Sequence, residues 1–152
     1  MILYMKKNFI KIRSIKDITI SAFLIIAGAI VSATIDGNGA IWGGCSLIIL
    51  GAILALVLKS SYKDMETGEV LKKREFTFQQ KMKGTLLQAV TSSPQNIDIS
   101  NEGVGEGIRL EIFYSKKLGK AYLQLFEYVP FQYHPCSEVY EYETERIKNL
   151  VK

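Results

Sequence analysis

The stretch that decides the fold covers residues 18–58 and reads ITISAFLIIAGAIVSATIDGNGAIWGGCSLIILGAILALVL. Its only charged residue is Asp36, in the polar sequence DGNG that separates two apolar runs at residues 18–35 and 40–58. Helices over these runs would be about 27–29 Å long, close to the roughly 30 Å thickness of a bilayer's hydrocarbon core. The sequence therefore predicts a two-helix transmembrane hairpin with its loop at residues 36–39.

Two alternatives to this hairpin stay open. A pair of buried helices in a soluble protein should each show an apolar stripe opposite a charged face, whereas these runs are apolar all round. A cleaved signal peptide would explain the basic start and the sequence Val31-Ser32-Ala33, but the first run is long for such a peptide and a second run follows at once. The transmembrane hairpin accounts for both runs together.

Small residues recur along both runs at helical spacing. A four-residue loop makes the two helices antiparallel neighbours, and small side chains allow helix backbones to approach closely inside a membrane. Glycine and alanine are also common in membrane helices without any packing role. We expect the helix-packing face to consist of Gly28, Ser32, Gly44, Gly51 and Ala55.

Basic residues flank the hairpin on both sides and are missing from its loop. The positive-inside rule then places both termini in the cytoplasm and the loop outside, with the lipid bilayer of a cell membrane, expected to be a bacterial inner membrane, as the first partner. The flanking cations are Lys6, Lys7, Lys11, Arg13 and Lys16 before the hairpin and Lys59 and Lys63 after it.

The net charge of +4 is concentrated next to the hairpin. Residues 62–152 contain 13 basic and 13 acidic residues, so that region is neutral overall. No basic groove or nucleic-acid motif is present, and we expect no nucleic-acid partner. Two cysteines and one histidine are too few for a four-ligand structural zinc site, and we predict no metal, no cofactor and no disulfide.

Three regions follow from this division. Residues 1–17 form a basic cytoplasmic segment, either an amphipathic helix lying on the membrane through Phe9, Ile10, Ile12 and Ile15 or a disordered tail. Residues 18–58 form the hairpin. Residues 59–152 form a small cytoplasmic α+β domain with an antiparallel sheet, because period-two patterns and one amphipathic helical pattern alternate along it.

Within that domain the clearest elements are a helix at 78–91 and a β-hairpin with strands at 108–114 and 120–129. Thr77 and Gln80 fit a capping box at the start of the helix. We also expect a strand at 69–76, with its Lys72-Lys73-Arg74 run as a solvated edge. An extended crossing at 130–136, a strand at 138–142 and a helix at 145–152 complete the domain.

Aromatic residues concentrate in the second half of the domain. Strand alternation places Phe113, Tyr122, Phe126 and Tyr128 on one face of the hairpin. Tyrosine favours interfaces because it combines a large contact area with a polar tip. These four residues are a possible interaction face, and the alternative is that they belong to the domain core.

Few residues suggest catalysis. His134 and Cys136 lie two apart in an extended segment and could touch, but no third group to orient the histidine is identifiable. Glu138, Glu141, Glu143 and Glu145 are expected to be a solvated face. The sequence NEGVGEG at 101–107 precedes a strand and carries acidic residues, which favours a surface loop over a phosphate-binding loop.

These observations favour a non-enzymatic two-pass membrane protein that presents an interaction domain to a protein partner or a second copy. The alternative is a ligand-sensing membrane effector whose hairpins oligomerise and disturb the bilayer, since the layout resembles that of some two-span bacterial defence effectors. A membrane enzyme using His134 and Cys136 is the third hypothesis.

Overall fold

The computed structural model describes residues 8–103 and 107–152. The described chain divides into two compact units. Residues 11–61 form a helical unit, and residues 8–10 together with Tyr62–Lys152 form an α+β domain.

The helical unit consists of two apolar helices of 20 residues each, α1 (Ile15–Thr34) and α2 (Asn38–Val57). Each is about 30 Å long at 1.5 Å per residue. Both are long and apolar enough to span a membrane, and only 17% and 11% of their most apolar windows are buried. Gly37, with φ of 118°, makes the turn into α2.

The α1 helix begins three residues before the predicted apolar run because Ser14 and Asp17 form a capping box. The Asp17 carboxylate accepts hydrogen bonds from the backbone N–H groups of Ser14 and Ser60, each at 2.8 Å. The Ser14 and Ser60 hydroxyls are 2.9 Å apart. Asp17 is buried, and its Oδ2 atom joins the start of α1 to the chain that follows α2.

The strands of the described chain are β1 (Phe9–Ile12), β2 (Ser61–Asp64), β3 (Val70–Phe78), β4 (Ile108–Ser115), β5 (Lys120–Val129), β6 (Gln132–Pro135) and β7 (Tyr140–Glu143). They form one sheet in the order β1-β2-β3-β4-β5-β6, and β7 also pairs with β5. The pairings from β2 to β7 are antiparallel. β7 pairs with the first half of β5 and β6 with the second half, along the same edge.

One face of this sheet packs against the helix α3 (Lys83–Ser92) and the C-terminal segment. Burial of these side chains is the main stabilising contribution to the domain. The core comprises Phe76, Phe78, Leu86, Val90, Ile97, Ile108, Leu110, Ile112, Tyr114, Ala121, Leu123, Leu125, Ile147, Leu150 and Val151.

The N-terminal segment differs from both predictions for it. Phe9–Ile12 is a strand rather than an amphipathic helix or a disordered tail, and residues 1–7 lie outside the described residues. The expected polar connector after the hairpin contains a strand as well, Ser61–Asp64. The aromatic ring of Phe9 stacks on Phe113, more than 100 positions away in the chain, so local sequence could not indicate the strand.

The predicted helix at 78–91 starts later than its pattern suggested. Phe78 belongs to β3, is fully buried and pairs with Ile108. A 3-10 turn at Gln80–Met82 leads into α3, and neither start has a side-chain cap, so the predicted Thr77–Gln80 capping box is wrong. The expected C-terminal helix is reduced to a 3-10 turn at Thr144–Ile147.

Two further parts of the domain are more specific than their patterns suggested. The crossing at 130–136 is instead a tight hairpin, in which β5 and β6 pair and only Pro130 and Phe131 form the loop. The Lys72-Lys73-Arg74 run pairs with β4 along one side, and β2 pairs with β3 only before the run, at Val70 and Leu71. Lys72 is exposed, whereas Lys73 and Arg74 are half-buried, so the run is solvated only in part. Arg74 donates a hydrogen bond to the carbonyl of Leu150 at 3.2 Å.

Candidate interaction surface

The face of the sheet opposite α3 is where the sequence predicted an interaction face. Alternation along β3, β4 and β5 brings polar and aromatic side chains to this face in three bands. Cross-strand pairs define each band: Phe113 with Tyr122, Glu75 with Glu111, and Arg109 with Phe126.

The first band is buried. Phe113 and Tyr122 are 8% and 2% exposed. Phe9 stacks on Phe113 with ring centroids 4.1 Å apart, and Tyr62 meets the same ring edge-on at 5.1 Å. Together with Leu71 they form a second hydrophobic cluster. Two of the four predicted interface residues, Phe113 and Tyr122, therefore contribute to the stability of the domain and are not accessible to a partner.

The second band is an ion-pair network around a buried carboxylate. Glu111 is 6% exposed and contacts Lys73 at 3.0 Å and the Arg109 guanidinium at 2.7 Å. Burial disfavours the charged form of Lys73, but hydrogen bonds to Glu75 and Glu111 outweigh it and raise the pKa of Lys73 above its usual value. The network fixes the position of Arg109 on the sheet.

The third band is aromatic and partly exposed. The guanidinium of Arg109 lies 4.0 Å from the ring centroid of Tyr133 and 5.5 Å from that of Phe126, within the range of cation–π attraction. Tyr128 meets Tyr133 edge-on at 5.2 Å. Within the described residues, Arg109 Nε is buried and has no hydrogen-bond partner.

The hairpin between β5 and β6 extends this band into solvent. Its loop residue Phe131 is 95% exposed and has φ of 77°. Proline followed by a residue of positive φ is typical of a type II turn, in which glycine or asparagine normally takes the second position. We define the hairpin surface as Arg109, Phe126, Tyr128, Phe131 and Tyr133.

The predicted helix-packing residues lie in the helical unit. A Cβ atom on Gly28 would be 2.6 Å from the carbonyl oxygen of Gly44, and one on Gly51 would be 2.8 Å from Ile25. The two backbones therefore approach each other most closely at these glycines. The Ser32 hydroxyl oxygen is buried next to Gly44 and has no hydrogen-bond partner among the described residues.

The candidate pair His134 and Cys136 lies at the end of the domain's sixth strand, with His134 in β6 and Cys136 directly after it. His134 is exposed, and burial raises the pKa of the Cys136 thiol, whereas a nucleophilic cysteine needs a lowered pKa. Cys45 and Cys136 are both free thiols.

The acidic candidates lie at the surface, and the glycine-rich segment is described only in part. Glu138, Glu141, Glu143 and Glu145 are exposed, and residues 8–103 and 107–152 contain no cluster of three potential metal ligands. In the glycine-rich segment, residues 104–106 lie outside the described residues, so the predicted surface loop is described only at its ends. A Cβ atom on Gly107 would be 2.1 Å from the carbonyl oxygen of Phe78, so this glycine serves close backbone packing.

Comparison of the chain with family models, with curated proteins and with solved structures gave no match.

Sequence reasoning missed Arg109, Phe131 and Tyr133. The signal for Phe131 was the pair Pro130-Phe131 between two segments of alternating pattern, but phenylalanine is not a turn residue and the pair was assigned to an extended crossing. Alternation along β4 puts Arg109 on the same face of the sheet as Phe113, but its contact with Tyr133 depends on the β5–β6 pairing.

Proposed function

We propose that this chain is a two-pass membrane protein whose α1–α2 hairpin anchors a small α+β domain at the cytoplasmic side. The support is that large apolar side chains point outward along both helices, such as Phe23, Ile30, Ile49 and Leu56, which are 56–71% exposed. Soluble proteins rarely expose contiguous apolar areas above a few hundred Å². Lipid would cover this surface, and the basic flanks favour cytoplasmic termini.

The anchored domain, in this proposal, is a non-enzymatic interaction module that binds a protein partner or a second copy through the hairpin surface. The observation that carries the proposal is Phe131. A positive φ costs an L-residue about 1–2 kcal/mol. Glycine would avoid this cost, and an almost fully exposed phenylalanine gains no packing within the domain in return. Strained backbone conformations cluster at functional sites, so the positive φ of Phe131 supports a role of this residue in binding.

The composition of the hairpin surface supports a protein ligand. Tyrosine and arginine are enriched among the residues that dominate binding energy at protein interfaces. The Glu111 network and the stacking on Tyr133 hold Arg109 in place before binding, which reduces the entropy that a partner must overcome.

We do not favour the ligand-sensing effector. Its hairpins would oligomerise through the small-residue faces, and Gly28, Gly44 and Gly51 already pack between α1 and α2 of one chain. The enzyme hypothesis lacks a lowered thiol pKa at Cys136.

The test is site-specific photo-crosslinking of the full chain in its native membrane. A benzophenone side chain replaces Phe131 in one variant and Lys117, in the exposed turn between β4 and β5, in the matched control. We expect a discrete adduct from position 131 and none from position 117. Adding Tyr133→Ser should weaken the adduct from position 131. An adduct of twice the chain mass identifies a second copy, and equal products from both positions would contradict the proposal.

A further inference from the structure

A cleft lies between α1 and α2 at the end of the hairpin away from its loop. Its volume is about 210 Å³, and its floor is apolar. This is the space of about seven water molecules at roughly 30 Å³ each, enough for part of one hydrocarbon chain. The apolar lining includes Ile18, Ala22, Ile25, Leu54, Ala55 and Leu58.

The mouth of this cleft is polar and cationic. Arg13 lines it beside Asp17 and Ser21. Asp17 Oδ2 accepts hydrogen bonds from the backbone N–H groups of Ser14 and Ser60, and the Ser21 hydroxyl donates to the Asp17 carbonyl at 2.9 Å. Within the described residues, the structure gives Arg13 no ion pair and no hydrogen bond.

The other charges of the helical unit at this end are also positive. Lys16 lies in the first turn of α1 and Lys59 follows α2, and both side chains are exposed. The single acid, Asp17, is 4% exposed and compensated by backbone donors. An anionic group arriving at Arg13 therefore meets net positive charge.

We propose that this cleft binds one acyl chain of an anionic phospholipid, with the lipid phosphate against the Arg13 guanidinium. This inference rests on the proposed membrane anchorage and deepens it. A guanidinium matches a phosphate through two parallel N–H···O contacts, and the apolar floor matches a hydrocarbon chain. An apolar cleft with a cationic mouth fits an amphiphile with an anionic head better than a neutral lipid or a free phosphate.

The test is native mass spectrometry of the full chain purified in detergent, with phosphatidylglycerol or phosphatidylcholine of equal chain length added. The variants are Arg13→Gln, which removes the charge at the cleft, Ala55→Phe, which fills the floor, and Lys16→Gln, a matched loss of one charge that does not line the cleft. Circular dichroism confirms that each variant keeps its helices.

We expect wild type to retain phosphatidylglycerol over phosphatidylcholine. Arg13→Gln should lower that retention about fivefold, and Lys16→Gln by less than about twofold. Ala55→Phe should lower the retention of both lipids. Equal losses in Arg13→Gln and Lys16→Gln would indicate a diffuse electrostatic effect and overturn the site, as would equal retention of both lipids by wild type.

Failure of this inference is distinguishable from failure of the anchorage. If the chain stays in alkaline-washed membranes but shows no preference for phosphatidylglycerol, only the lipid site is wrong. If the chain is washed off the membranes, the anchorage itself is wrong, and the lipid site is wrong with it.

Discussion

The close approach of α1 and α2 predicts different effects of alanine substitution at two adjacent glycines, Gly43 and Gly44. A Cβ atom on Gly44 would lie 2.0 Å from Ser32 Oγ and 2.5 Å from the Gly28 carbonyl oxygen, whereas one on Gly43 would meet nothing within 4 Å. Overpacking of this kind costs about 1–3 kcal/mol. Replacing a helical glycine by alanine otherwise gains about 1 kcal/mol in helix propensity. Gly43→Ala receives the gain alone, and Gly44→Ala receives both effects.

The two variants are compared by unfolding the full chain in mixed micelles with increasing SDS. Emission from Trp42, the single tryptophan, and far-UV circular dichroism follow the transition. We expect Gly44→Ala to be less stable than Gly43→Ala by about 1–3 kcal/mol, because only Gly44 faces α1. Equal transition midpoints for the two variants would refute the packing of α1 against α2 through these glycines.

Three further predictions concern the hydrogen bonds of Asp17, the hairpin surface and the stability of the domain at low pH. Asp17→Ala should destabilise the helical unit by about 1–3 kcal/mol in the same SDS assay, because the backbone N–H groups of Ser14 and Ser60 lose their acceptor. Asp17→Asn should destabilise the unit less, since the amide oxygen can still accept a hydrogen bond. Phe131→Gly should raise the thermal unfolding midpoint, since it relieves a positive φ. The same change should abolish the adducts formed by a benzophenone side chain placed at Tyr128, because it removes the exposed ring of the hairpin surface. The side-chain hydrogen bond from Lys83 lowers the pKa of Glu127, desolvation opposes this effect, and the hydrogen bond from Gln80 adds to it. The Glu127 carboxylate therefore stabilises the fold at pH values above its unfolded pKa of 4.5, and that stabilisation is lost as the pH falls through the lowered folded pKa. The stability difference between wild type and Glu127→Gln should therefore shrink in acid denaturation below about pH 4, and a difference that grows there would contradict the assignment.

The elements that could be predicted from sequence are those specified by their own pattern. The strands β4 and β5 follow a strict period of two, and Gly119, with φ of 69°, lies in the turn between them, where glycine is favoured. The apolar runs of α1 and α2 also needed no distant partner. Ile147, Leu150 and Val151 are buried in the core, although the helix predicted at 145–152 is only a 3-10 turn.

The elements that could not be predicted depend on distant contacts. Phe78 fits a helical stripe, but pairing with Ile108 and complete burial keep it in β3. Phe9 lies in a basic segment and becomes part of an aromatic cluster only because the sheet brings Phe113 to it. The same cluster covers half of the predicted interaction face, so sequence alternation identified the face but not which half stays accessible.

The start of α1 carried a readable signal that was missed. Ser14 and Asp17 have the spacing of a capping box, which marks the helix start at Ile15. The second contact of the Asp17 carboxylate, with the backbone of Ser60, joins two ends of the hairpin 43 residues apart and had no local signature.

The central claim, a two-pass anchor with a cytoplasmic domain, is tested most directly by the sidedness of single cysteines. In a background with Cys45 and Cys136 replaced by serine, Lys117→Cys marks the domain and Asp36→Cys marks the loop between α1 and α2. A membrane-impermeant thiol reagent is applied to intact spheroplasts and to inverted vesicles. We expect Lys117→Cys to react only in inverted vesicles and Asp36→Cys only in spheroplasts. Reaction of both cysteines on the same side of the membrane, or of Lys117→Cys in spheroplasts, would contradict the account.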